Sequence, residues 1–242
     1  MDETGDYDLS LRQKLDLSLQ QIGEEREPVL LVEGILSNPQ SLVRYACEEV
    51  PFKPVWGPNG GYPGIRAPAP LNYVGDVVRR LSPMIERAFG LSNVKLARAE
   101  CSLSLVTLRP EQLTPLQRIP HVDTVDAHQF ALLHYLCGPE HGGTAFYRHR
   151  ATGFETLTSE RQPEYFRVRD AEIAEATTAS DYIRGDSPHY EQTAAFEATF
   201  DRLLIYRSRA LHSGLIPAGA ELSDDPRTGR LTANIFVNYA RR

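Results

Sequence analysis

Sulfur, positive charge and long apolar runs are all scarce in this chain, and each scarcity excludes something. Only three cysteines occur in 242 residues, Cys47, Cys101 and Cys137, with no Cys-x-x-Cys pair. Zinc-ribbon and thioredoxin-like readings therefore fail, and buried free thiols in a reducing cytoplasm are expected. No apolar stretch approaches the length of a membrane span, and the acidic start Met1-Asp2-Glu3 lacks the apolar core of a secretory signal. Lysine and arginine number 26 against 32 aspartates and glutamates, a net charge of −6. That balance argues against a general nucleic-acid or membrane-surface binder. Internal repeats and low-complexity segments are missing too, and nothing specifies an oligomeric state. With 41% hydrophobic and 24% charged residues, the composition is that of an ordinary globular domain whose core needs no disulfide or structural metal.

The periodicities that are present divide the chain into a mixed front and a strand-rich remainder. Leucines at 9, 11, 15, 17 and 19 follow strand alternation more closely than a helical stripe, so residues 8–20 read as a short hairpin. Val29-Leu30-Leu31-Val32 reads as a buried strand. Ser37-Asn38-Pro39 then supplies a cap and a proline at the first position of a helix running to about Glu49. Residues 51–70 are dense in proline and glycine and are expected to form a long loop, with Trp56, Tyr62 and Arg66 as candidates to line a pocket. From Asn72 to Phe89 the period is helical, Pro83 predicts a kink or break, and Gly90 is the expected C-cap. Strands are expected over 96–106, 130–135, 142–147, 203–206 and 230–239. Within residues 150–200, Ala171–Thr178 and Gln192–Phe200 read as helices of an insertion, a lid rather than a second domain.

The chemistry concentrates in Pro120-His121-Val122-Asp123. On an extended segment His121 and Asp123 share a face, because side chains alternate. His212, delivered by a neighbouring strand, would complete a two-histidine, one-carboxylate set with open metal positions, the arrangement of non-haem Fe(II) oxygenases. An isolated His-x-Asp with a remote histidine is more often two locally satisfied imidazoles, so its companions decide. Arg230 begins the last strand and has the bidentate geometry to grip a co-substrate carboxylate, with Thr232 on the same face. Arg227 competes for that role from a turn, and Tyr135 offers a phenolic hydroxyl. His134 should face away from Tyr135. Asp126 and His128 read as loop residues, and His141, His149 and His189 lack ligand spacing. Arg148, Arg150, Arg167, Arg169 and Arg184 are expected on a solvated face, with an acidic substrate as the sharper reading.

His121-Val122-Asp123, Leu133-His134-Tyr135-Leu136, Gly142-Gly143-Thr144-Ala145-Phe146, Arg202 to Tyr206, Ala210-Leu211-His212 and Gly229-Arg230-Leu231-Thr232 occur in that order. Taken together, residues 95–240 resemble the iron(II)/2-oxoglutarate dioxygenases of the prolyl-4-hydroxylase-like branch. The resemblance implies a mainly β fold with flanking helices, built on a double-stranded β-helix (jelly roll). A single domain over 1–242 is expected, with 1–94 packed on a 95–242 core that carries an insertion at about 150–200. The resemblance makes His121, Asp123 and His212 the ligands of Fe(II), and Tyr135 and Arg230 the holders of 2-oxoglutarate, with dioxygen as the second co-substrate. The Gly-Gly-Thr turn is structural in this comparison. Two departures stand out: a long stretch between Asp123 and His212, and an Arg230 set far beyond His212 by an extended loop over 221–229. In related halogenases a small residue replaces the carboxylate, so Asp123 favours hydroxylation. The expected substrate is an amino acid, a peptidyl side chain or another small metabolite. The alternative is a β-helix protein that binds metal or ligand without oxidising anything.

Overall fold

A computed structural model describes residues 7–57, 60–175 and 181–242. The chain runs β1 (Asp16–Ile22), β2 (Glu27–Glu33), α1 (Pro39–Glu48), β3 (Lys53–Gly57), β4 (Gly60–Pro68), α2 (Leu71–Ala88) and β5 (Val94–Val106). It continues with β6 (Gln129–Tyr135), β7 (Gly143–His149), α3 (Gln162–Glu175), β8 (Tyr190–Glu197), β9 (Arg202–Arg207), β10 (His212–Leu215) and β11 (Leu231–Arg241). Eight strands form a large antiparallel sheet in the order β1-β2-β9-β6-β11-β5-β4-β3, and β10-β7-β8 form a small one. A bridge between His121 and His212 adds the segment around residue 121 to the open edge of the small sheet, beside β10. From β5 onward the chain passes repeatedly between the two sheets, giving each four strands of a closed sandwich. This is the double-stranded β-helix, and the fold is mainly β with flanking helices.

Alternation along β11 decides what each face of the large sheet does. Leu231, Ala233, Ile235 and Val237 point outward, where they pack with Leu42 of α1 and Val77, Leu81 and Ile85 of α2. Thr232, Asn234 and Phe236 point the other way, between the sheets. On β6 the same rule separates His134 from Tyr135. His134 lies on the helix side, its Nδ1 2.8 Å from the Tyr73 hydroxyl and its Nε2 3.0 Å from Asp201 Oδ1. Asp201 also accepts the Leu36 amide at 3.1 Å, so this buried network ties the N-terminal segment, α2 and the barrel together. His134 is fully satisfied and faces away from Tyr135, as alternation requires.

The helices form where the sequence places them. Asn38 precedes α1 with Pro39 in its first turn, and Leu42, Val43 and Ala46 are buried. α2 is one helix despite Pro83. Pro83 is on the exposed side, so the carbonyl it leaves without a donor faces water. At its end Gly90 takes φ +64° and Leu91 N–H donates to Glu86 O at 2.8 Å, a left-handed cap.

Four expectations need correction. Residues 51–70 are not a loop but largely the hairpin β3–β4 on the sheet edge. Edge strands tolerate proline because one row of amides has no partner to lose, and Pro54 and Pro63 sit there or beside a register shift. Gly64 makes the hairpin fit: a Cβ there would lie 1.9 Å from Leu105 O. Gln192–Phe200 is not a helix; most of it is β8, paired antiparallel with β7. Its alanines favour a helix locally, but pairing with β7 and burial of Phe196 override that preference. The other helix of that region begins earlier than expected, at Gln162, and the end expected at Thr178 lies outside the described residues. In the front of the chain, the hairpin is β1–β2, so its second strand is 27–33 rather than part of 8–20.

Candidate metal centre

His121 and His212 are directly opposite each other in an antiparallel bridge, each amide donating to the other's carbonyl at 2.9 Å. Directly opposed residues project to the same face, so both imidazoles stand side by side, with ring centroids 4.4 Å apart. Two residues on, Asp123 is held by its amide donating to Ser208 O at 2.9 Å, which returns its carboxylate to the same side. Its oxygens lie 3.8 Å from His121 Nε2 and 3.8 Å from His212 Nε2. One donor atom from each of the three residues lies within 4.8 Å of the others. A divalent ion needs donors at about 2 Å, so closing on one would take a shift of under about 1 Å from each side chain.

Protonation suits this use. His212 Nδ1–H donates to Ala210 O at 2.9 Å, which leaves the Nε2 lone pair directed at the site. The ring is clamped by Tyr206 at 4.8 Å and Phe146 at 6.4 Å. Half of the His121 side chain (54%) opens into a cavity, yet protein surrounds it on the other sides. Desolvation, with His212 adding to it and Asp123 opposing, pushes the His121 imidazole down to about 4. Neutral imidazole is the form that binds metal.

The cavity holds about 420 Å³ and is lined by all three of these residues, by Arg230 and Thr144, and by Tyr62 and Arg66 of the edge hairpin. Arg230 sits immediately before β11 and is 6% exposed. Its Nη2 donates to Gly143 O at 2.7 Å, its Nε has no partner, and no carboxylate meets it among the described residues. A buried guanidinium without a counter-charge is costly, by several kcal/mol. Arg227, in contrast, is exposed in the turn beside Asp225 and lies outside the cavity. Gly142 and Gly143 bring β7 close enough to offer that carbonyl. A Cβ at Gly142 would lie 1.8 Å from Leu215 O, and one at Gly143 2.1 Å from Phe196 O.

Tyr135 is fully buried and its hydroxyl donates to Thr144 Oγ1 at 2.6 Å, while its ring lies 5.8 Å from the Arg230 guanidinium. Burial pushes this phenol up to about 12, so it stays a neutral donor. Thr232 is opposite Tyr135 in register, and its hydroxyl donates to Asn234 Oδ1 at 2.7 Å. Asn234 rather than Thr232 reaches the cavity. The remaining histidines are elsewhere: His128 with Asp126, His141 with Glu140, and His149 and His189 on Glu172. Arg148, Arg150 and Arg184 pair with carboxylates, and Arg169, which lines the cavity, pairs with Asp170 at 2.6 Å. The side chain of Trp56 lies outside the described residues. Sequence reasoning missed Asn234, Phe236 and Tyr182 as cavity residues. The first two were accessible by counting in twos from Thr232, while Tyr182 carries no local signal.

A profile described as "Family of unknown function (DUF6445)" matches residues 13–237. No curated protein matches the chain. Among solved structures, it is similar to the non-heme alpha ketoglutarate dependent epimerase SnoN from nogalamycin biosynthesis, at 12% identity and a TM-score of 0.49, covering 90% of this chain and 82% of that one. HygX from Streptomyces hygroscopicus, with nickel, 2-oxoglutarate and hygromycin B bound, matches at 13% identity and a TM-score of 0.44, covering 87% and 82%. An N-substituted L-amino acid dioxygenase from Burkholderia ambifaria matches at 9% identity and a TM-score of 0.38, covering 93% and 94%.

Proposed function

The chain belongs to DUF6445, a family of unknown function, and we propose that it is a non-haem Fe(II) oxygenase using 2-oxoglutarate and dioxygen. One juxtaposition supports this above all: His121, Asp123 and His212 open into the same cavity as a buried arginine that meets no carboxylate among the described residues. A facial set of two imidazoles and one carboxylate suits Fe(II) and leaves positions free for a bidentate oxo acid and for dioxygen. Arg230 supplies the far anchor, where two parallel hydrogen bonds to a distal carboxylate would satisfy its free Nε. Tyr135, through Thr144, and the Gly143 carbonyl hold that guanidinium and its surroundings in place.

Fe(II) and 2-oxoglutarate, when bound, supply dioxygen activation coupled to decarboxylation of the oxo acid to succinate. The chain's own contribution is positional. The Ala210 carbonyl fixes the tautomer of His212, and Ser208 aims Asp123. Tyr206 walls the metal side of the cavity with aromatic surface and Phe146 packs beside His212, keeping bulk water away from a reactive centre. With a carboxylate at position 123, we read the reaction as hydroxylation of an unactivated C–H bond, by an enzyme of the prolyl-4-hydroxylase-like branch acting in the cytoplasm. No helix among the described residues is long and apolar enough to cross a membrane.

Calorimetry and product analysis test the proposal. 2-Oxoglutarate should bind only after a divalent metal is loaded, and Fe(II) with air should yield succinate and CO2. Metal-independent binding, or metal-loaded protein that never forms succinate, would refute it.

A further inference from the structure

A second guanidinium in the cavity has the same deficiency as Arg230. Arg66 of β4 is half-buried, its Nε has no partner, and no carboxylate meets it among the described residues. The contact it does make is with the ring of Tyr62, 4.4 Å from its Cζ. Arg66 belongs to a row across the large sheet, opposite Lys53 of the edge strand on one side and Ser104 on the other; Ser104 is opposite Thr232, which is opposite Tyr135. The Ser104 hydroxyl is fully buried and also lacks a partner. Arg66 lines the same cavity as His121, Asp123 and His212.

A charge count shows what is missing. Among the described residues, three guanidinium groups line the cavity, Arg66, Arg169 and Arg230, against one carboxylate, Asp123. Arg169 is neutralised by Asp170. A divalent metal and doubly charged 2-oxoglutarate cancel each other, and Asp123 offsets one of the two remaining arginines. One positive charge is left over, and with Arg230 holding the co-substrate it falls to Arg66.

We propose that the primary substrate carries a carboxylate, and that Arg66 receives it beside the metal centre. This assignment rests on the oxygenase reading of the site. The planar fork held against Tyr62 is ready for a bidentate carboxylate. Leu116, Ile119 and Phe236 line the same cavity, so the substrate's body beyond the carboxylate is apolar. Arg66 is then a specificity residue, distinct from the Arg230 anchor.

The test uses protein loaded with Zn(II) and saturated with 2-oxoglutarate, titrated calorimetrically with phenylacetate, 4-methylvalerate and N-acetyl-leucine, each against its carboxamide. At least one acid should bind about 10-fold or more tighter than its amide, the scale of one charge-assisted pair. Arg66→Met should abolish that preference and Arg66→Lys retain part of it, with 2-oxoglutarate affinity unchanged in both. Thermal unfolding of each variant verifies that it is folded. Equal binding of acids and amides, no binding of any acid, or a preference that survives Arg66→Met overturns the proposal. Weakened 2-oxoglutarate binding in Arg66→Met overturns it as well, by assigning Arg66 to the co-substrate. If the wild type shows no metal-dependent 2-oxoglutarate binding, the oxygenase reading fails instead, and the acid–amide comparison run on metal-loaded protein still decides Arg66.

Discussion

The two faces of the large sheet differ in how some of their buried polar residues are satisfied. On the helix side, His134, Tyr73 and Asp201 are buried and every one of them has a partner within about hydrogen-bond distance. On the cavity side, Arg230 Nε, Arg66 Nε and Ser104 Oγ are buried and have none. His134 and Tyr135 are neighbours in sequence, and the pleat alone sends one to each environment. Satisfied polar groups stabilise a fold, whereas unsatisfied ones cost stability until a ligand arrives. The helix side is therefore built for folding and the cavity side for binding.

The strongest way to break this comparison is at the proposed metal ligands. His212→Ala or Asp123→Ala should reduce Fe(II)-dependent succinate formation to background while the metal-free protein unfolds near the wild-type temperature. A large drop in unfolding temperature would make these residues structural. On the other face, His134→Leu should cost about 1–3 kcal/mol in denaturant unfolding, because it removes one hydrogen-bond partner of the buried Asp201 carboxylate and leaves the Tyr73 hydroxyl unpaired. Metal affinity should be unaffected. Equal losses of stability and metal binding in this variant would erase the distinction between the faces.

Arg230→Met sharpens it further. The apparent KM for 2-oxoglutarate should rise by about 10-fold or more, as expected when a bidentate charged pair is lost. The ligand-free protein should be no less stable, since an unpaired buried cation has been removed. The smallest effect belongs to Arg227→Ala, which should leave both KM and stability within about 0.5 kcal/mol of wild type, as for an exposed turn residue. A raised KM there would move the co-substrate anchor to the turn.

Much of the site could be read from the sequence because it depends on local rules. Alternation puts His121 with Asp123 and separates His134 from Tyr135, and both hold in three dimensions. The helix starting at Asn38-Pro39 and the left-handed glycine at 90 are equally local. What escaped was decided by partners distant in sequence. β8 looks helical until β7 pairs with it, and the β3–β4 hairpin looks like a loop until its place at an edge makes its prolines harmless. Arg66 stood out as a pocket candidate, but its lack of a counter-ion exists only in the folded arrangement.

The bridge between His121 and His212 has a consequence for measurement. Their two amides are hydrogen-bonded to each other's carbonyls at the outer margin of the small sheet, so they exchange with solvent whenever that margin opens. An ion gripping both side chains would pin the same two backbones together. Deuterium uptake at these two positions should slow on metal loading while uptake in β6 and β11 stays unchanged. Occupancy of the centre could then be followed residue by residue, with no turnover and no substrate.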